Sequence, residues 1–401
     1  MTKSLFLFFL SFILLISCDK QEDESVLQPN SSTVNQKIVN EIAQSFFKKE
    51  NTTAKGVNNN KTIENIIIHK TAKNENAFYV INYKEGGFLI ISADNRISPI
   101  LAFSDTGSFS SIPTEIIPPV QYWMKGEKEQ VQNVIDHQLT QSKEVKQEWK
   151  VLADNNSLVK STSSTSRIEP DPINYCPDAT VQKGPFLTTI WGQGNGYNNL
   201  LDTNCSYTDY FGYKAPTGCV ATAIAQVMRY FHKANTYNWA NMPNYGRYAN
   251  GTSDTQQLMK DIGFWVKMRY YCDTSWAYSE DIVPTLIYHF GYSNANFADF
   301  NLNTVVQNLN SNKPVILSGG TNSGGSYTNG HAWVCDGYTQ STFYSRDDYG
   351  NCTGQAVTYS PLLHMNWGWD NDYNAYYSVS HFNTGTSSYN YKNTMVYNIT
   401  P

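Results

Sequence analysis

The segment from Leu158 to Pro172 constrains this chain more than any other. It reads Lys160-Ser161-Thr162-Ser163-Ser164-Thr165-Ser166-Arg167, followed by Pro170 and Pro172. Small polar residues bury little, and the prolines interrupt both helix and sheet. Such a stretch should be exposed and is the natural domain boundary. The chain is therefore expected to hold two cores joined by an exposed linker over residues 158–174, a natural site of nicking. Lys160, Arg167 and the Lys183 region are the candidate cut sites, and the sequence does not choose among them. A length of 401 residues suits two or three domains.

The first half alternates between the two periods of secondary structure. Val34, Ile38, Ile42, Phe46 and Phe47 recur at helical spacing. Ile63 to His69, Ala77 to Tyr83, Gly87 to Ala93 and Ile97 to Phe103 read as strands, with Lys84-Glu85-Gly86-Gly87 as a hairpin turn. Val120 to Trp149 carries the apolar spacing of one or two amphipathic helices. Residues 34–157 are thus expected to form a small α+β unit. Beyond Tyr175 the composition shifts to Gly, Asn, Tyr and Trp. Helical patterns come first and strand patterns later, which predicts a helical part facing a sheet part over residues 175–401.

Charge narrows the function. Charged residues make up 16% of the chain and the formal net charge is −5. A nucleic-acid binder would need a basic stripe, so nucleic acid is not expected as a partner. The 13-residue apolar run Leu5 to Ser17 follows Lys3 and is too short to span a bilayer, which takes about 20 residues. Residues 1–17 read as a signal peptide. The run ends in Leu15-Ile16-Ser17-Cys18, which resembles a bacterial lipobox. That resemblance implies lipidation of Cys18 and a lipid anchor to the membrane, with ordinary secretion as the alternative. Residues 18–33, with Asp19, Glu22, Asp23 and Glu24, form an acidic tether resembling the surface-export tag of some Gram-negative lipoproteins.

Seven cysteines are present, none in a C-x-x-C pair, which argues against zinc. An exported chain can keep disulfides, but the spacing leaves their pairing open.

Four segments carry reactive chemistry. In Ala215-Pro216-Thr217-Gly218-Cys219-Val220, the Pro and Gly make a turn and Thr217 can cap a helix. Val220, Ile224, Val227, Met228 and Phe231 then form a buried stripe, which places Cys219 in a first helical turn. Free N–H groups and the helix dipole there favour a thiolate. A structural cysteine is the plain alternative. Gly319 to Gly325 reads as a mobile loop that leads to His331, expected to open the next strand at the rim of a cleft. In Leu362 to Trp369, Asn366 could accept from an imidazole N–H while Trp367 shields that bond. Gln193, in Ile190-Trp191-Gly192-Gln193-Gly194, could donate to an oxyanion beside the Cys219 N–H.

Taken in order, W-G-Q-G-x-x-Y-N, T-G-C-V-A-T-A-x-A-Q-x-M, G-H-A-W-V-x-D-G-Y and N-W-G-W resemble the streptopain family of papain-fold cysteine peptidases. Ala77 to Phe109 is similar to that family's inhibitory propeptide domain. The resemblance implies an α+β fold: a papain-like catalytic domain, helical part against antiparallel sheet, preceded by a small α+β pro-domain. It implies Cys219 as nucleophile, His331 as general base and then acid, and Gln193 as oxyanion donor. Support for His331 comes from Asn366 or Trp367. It also implies latency: the pro-domain would block the cleft as an intramolecular inhibitor until cut away. Protein or peptide substrates, a monomer and no metal or organic cofactor follow. The expected location is the cell surface, as an outer-membrane lipoprotein, or the medium after processing. The insert between Asp336 and Asn366, including Cys352, departs from the family pattern and is expected near the His331 strand. Two other readings stand beside the peptidase: a transglutaminase- or amidase-like acyl transferase, and an inactive binding lipoprotein on the same scaffold.

Overall fold

Asn35 starts the first described helix, α1 (Gln36–Phe46), by accepting from the Ile38 N–H at 3.0 Å. That bond satisfies one of the orphan donors of a helix start. The chain is seen here in a computed structural model that describes residues 32–47, 61–161, 178–234, 236–323, 326–346, 352–383 and 391–401. Cys18, Cys176, the acidic tether up to Ser31 and the Arg167 part of the linker lie outside the described residues.

The N-terminal strands are β1 (Ile63–Lys70), β2 (Asn76–Tyr83), β3 (Phe88–Ser92) and β4 (Ile100–Ser104), paired antiparallel in sequence order. Gly86 and Gly87 turn between β2 and β3 at φ 83° and 95°, a region that Cβ-bearing residues avoid. Two helices follow, α2 (Pro118–Asp136) and α3 (Lys143–Ser161). α2 opens on two prolines, whose fixed φ suits a first turn. It buries Val120, Trp123, Met124 and Val131. α3 continues to Ser161, so the expected linker begins inside a helix rather than at residue 158.

The C-terminal part builds its helical layer on α4 (Cys219–Phe231) and α5 (Ser253–Trp265). Every residue from Val220 to Met228 is buried. A helix apolar all round belongs in a core, and the alanines at 221, 223 and 225 add intrinsic helix preference. The sheet layer contains β5 (Ala179–Lys183), β10 (Asn294–Asp299), β11 (Val315–Ser323), β12 (Ser326–Arg346), β13 (Cys352–Thr358), β14 (Leu362–Asn366), β15 (Ala375–Tyr377) and β16 (Tyr391–Thr400). Two small hairpins flank the helices: β6 (Asn204–Thr208) with β7 (Gly212–Lys214), and β8 (Arg269–Tyr270) with β9 (Ser275–Trp276).

Several expectations change. His331 lies inside β12 opposite Gly319, not at the opening of a strand. Gly319 and Gly320 belong to the β11 ladder rather than to a loop. Their use is steric: a Cβ on Gly320 or Gly330 would come within 2.6 Å of the Tyr327 ring. The insert after Asp336 lengthens β12 and pairs it with β13 from Thr342 onward. The insert thus lies on the His331 strand as expected, and at about 3.3 Å per residue its paired part begins roughly 35 Å along that strand from His331. Lys183 is tied into the ladder opposite Tyr338, a poor position for a cut.

One sheet crosses the whole molecule. Its path runs β1-β2-β3-β4-β15-β14-β12-β11-β16-β10. The seam between the N-terminal and C-terminal parts is the β4–β15 pairing, Tyr376 opposite Phe103 and Tyr377 opposite Ala102. The described residues between 32 and 401 accordingly pack as one compact unit.

Candidate active site

Cys219 is the first residue of α4 and is half-buried with a free thiol. The helix is capped by Gly218 at φ 85°, not by Thr217, whose hydroxyl instead bonds the Thr222 hydroxyl at 2.9 Å. Gly218 has no room for a side chain, because a Cβ would meet the Met268 sulfur at 2.6 Å and the Ser275 carbonyl at 3.2 Å. Gly218→Ala should therefore cost about 1–3 kcal/mol of strain and shift the thiol. A lowered melting temperature together with slower Cys219 alkylation is expected, and an unchanged protein would contradict the packing described.

Burial holds the Cys219 thiol above its ordinary pKa, opposed by backbone N–H groups of Ala332, Val220 and Cys219 that point at the sulfur. Ala332 immediately follows His331, so β12 and the mouth of α4 meet at this sulfur. Tyr327 is near enough to feel a charge there, which joins burial in raising its hydroxyl pKa.

The His331 ring places Nε2 2.9 Å from the Trp367 main-chain carbonyl. A carbonyl only accepts, so Nε2 carries the hydrogen and Nδ1 keeps its lone pair. Burial lowers the imidazole pKa to about 4, with the Trp367 carbonyl acting the other way. Both groups are therefore uncharged at neutral pH, and no hydrogen bond joins them in this state.

Asn366 does not reach His331. Its amide is consumed elsewhere: Nδ2 donates to the Thr189 carbonyl at 2.9 Å, and Oδ1 accepts from Gln226 at 3.1 Å and from the Gly368 N–H at 3.2 Å. Support for His331 comes from the backbone of Trp367 instead. The Trp367 side chain is buried, with its indole N–H on the Tyr373 carbonyl at 3.1 Å. Gln193 is buried, and its Nε2 lies 3.5 Å from the Gly368 carbonyl. Its own carbonyl accepts from the Thr217 N–H at 3.0 Å, which ties it to the Cys219 turn. Sequence reasoning missed Gln226, which also accepts from the Trp191 N–H at 3.1 Å. A polar residue inside the buried stripe of α4 was the available signal.

Residues 191–235 and 232–377 match the profile described as Peptidase C10 family, and residues 31–131 match that of the Spi protease inhibitor. The chain belongs to the peptidase C10 family. It is 27% identical to streptopain of Streptococcus pyogenes over 336 residues, covering 73% of this chain and 71% of streptopain. It is 25% identical to the thiol protease/hemagglutinin PrtT of Porphyromonas gingivalis, covering 86% of this chain and 38% of PrtT. A structure of Prevotella intermedia prointerpain A superposes at TM-score 0.55 and 25% identity, covering 85% of this chain and 99% of that one. The fold is thus a papain-like cysteine peptidase preceded by a propeptide inhibitor domain, an organisation like that of a zymogen.

The pro-domain grips the stretch just beyond the Trp367 carbonyl. Trp123 donates to the Ser378 carbonyl at 3.0 Å and meets the Tyr377 ring edge to face. Phe109 packs on Tyr373, and Phe103 stacks on Tyr376. Tyr377 in turn packs against Trp367. On the other side of the site, the disulfide Cys205–Cys272 joins the β6–β7 hairpin to the turn of β8–β9. Cys335 is free and buried.

Proposed function

We propose that this chain is a cysteine endopeptidase made as a zymogen, with Cys219 as nucleophile and His331 as general base and then acid. The observation that carries this reading is the Nε2–H to Trp367 carbonyl bond. It fixes the one tautomer whose free Nδ1 can take the thiol proton, on a ring one residue from the N–H that faces the sulfur.

In the proposed reaction the Cys219 proton passes to His331 Nδ1, and the thiolate forms a bond to the scissile carbonyl carbon. The C–N bond then breaks as Nδ1–H protonates the departing amine, leaving a thioester. Water, giving its proton to Nδ1, hydrolyses the thioester and restores the thiol. The Cys219 N–H and the Gln193 amide are the proposed oxyanion donors. Latency follows from the pro-domain's hold on Tyr373 to Ser378, next to the carbonyl that orients His331. Its removal, through a cut in the linker, is the proposed activation. The Leu5 to Cys18 segment supports export, with Cys18 as the lipid anchor at the cell surface.

Alkylation of Cys219 tests the reading. In the intact chain iodoacetamide should react slowly at pH 7, and its rate should climb only as pH rises past the ordinary thiol range. In the processed protein the reaction should be fast at neutral pH and should remove casein hydrolysis in step with labelling. Casein hydrolysis that survives complete alkylation of Cys219 would end the nucleophile assignment.

A further inference from the structure

Asp370 is a buried carboxylate that the mechanism above does not use. Its side chain is 3% exposed, and burial holds the carboxyl above its ordinary pKa, opposed by the Tyr197 and Tyr210 hydroxyls and by Arg247. Arg247 Nε, itself buried and without a partner, stands 3.9 Å from Oδ2. The hydroxyls of Tyr197 and Tyr210 face the same carboxylate. A buried acid held by two phenols and a long ion pair is costly to the fold unless something else requires it.

Its neighbours indicate that requirement. The carboxyl group lies directly against Gly192, where any Cβ would collide with it. Gly192 is followed by Gln193. The Tyr210 hydroxyl is also 3.5 Å from the Gln193 N–H, and its ring stacks on Trp369 at 5.3 Å. The Arg247 guanidinium lies over Tyr210 at 4.9 Å. Asp370 itself sits at φ 55°, the backbone following Gly368 and Trp369. Three separate stretches of chain, around 192–197, 210 and 247, therefore converge on one side chain at the end of the turn that carries the Trp367 carbonyl.

We propose that Asp370 is a positioning residue whose carboxylate, braced by Arg247, Tyr197 and Tyr210, holds Gly192-Gln193 in register with the Trp367–Trp369 turn. It keeps the oxyanion donor in place, with the Trp367–Trp369 turn as its fixed anchor. This rests on the peptidase reading and on the Gln193 role given there.

The test uses the processed enzyme and a peptide amide substrate. Asp370→Asn keeps the shape and replaces the acid by an amide. It should lower kcat about tenfold, since a misplaced donor is costly to the transition state, and leave KM within about twofold. Iodoacetamide alkylation of Cys219, which makes no oxyanion, should keep its wild-type rate and pH profile. In a Gln193→Ala background the same substitution should cost less than about twofold, because it acts through Gln193. Tyr210→Phe, which keeps the ring on Trp369, should lower kcat about threefold and serves where Asp370→Asn fails to fold. An equal kcat in the variants overturns the inference. So does an undiminished loss in the Gln193→Ala background, or a parallel fall in alkylation. A wild-type enzyme without turnover overturns the peptidase reading itself.

Discussion

Cys219→Ala should abolish peptide-bond hydrolysis, lowering kcat by about 10⁴-fold or more. Loss of a nucleophile in such a constellation removes nearly all turnover and leaves only binding and oxyanion effects. The substitution is mild for the fold. Alanine is an excellent helix former, and the half-buried sulfur is only a weak acceptor for the N–H groups that face it. The melting temperature should therefore move by only a few degrees. Self-processing gives the clearest readout. Incubated with a thiol reductant, the intact wild-type chain should lose its first 160–180 residues, while the Cys219→Ala chain should keep its full mass. Identical mass changes in both would show that another protein, or another residue, makes the cut.

Trp123→Ala carries the second large effect. Trp123 is almost fully buried at the seam between pro-domain and peptidase, with its N–H on Ser378 and its ring on Tyr377. Truncating a buried Trp costs about 3–5 kcal/mol. Part of that falls on the pro-domain's own core and part on docking. If half reaches the seam, the equilibrium for release shifts by roughly 10- to 60-fold. The full-length variant should then be alkylated at Cys219, and should process itself, at least tenfold faster than wild type at pH 7. Rates equal to wild type would mean that latency does not depend on this contact.

The elements that the sequence exposed best are those whose pattern is local. α1 and β1 fall where apolar spacing put them, and the Gly86-Gly87 turn needs positive φ, which glycine advertises. Cys219 at a helix start was legible because an apolar stripe follows it directly. The cap was misread, since Thr217 and Gly218 are both able cap residues and only the closeness of Met268 and Ser275 decides between them. The support for His331 was illegible for a deeper reason. It is a main-chain carbonyl, and every residue type has one. Asn366 drew attention by its side chain, which the Thr189 carbonyl and Gln226 had already engaged. Asp370 faces Gly192 across nearly the whole peptidase domain in sequence, a meeting that no local pattern announces. The seam was equally hidden. The β4 and β15 strands read as ordinary short strands, and nothing in either names its partner.

In the proposed maturation, that shared ladder sets the order of events. Scission of the linker breaks a covalent connection but leaves β4 zipped to β15, with Trp123 still seated. The severed piece must then part from β15 at that one seam, taking its contacts off Tyr373 to Ser378. Hydrolysis and release are then separate steps, and dilution, which suppresses re-association, favours the second.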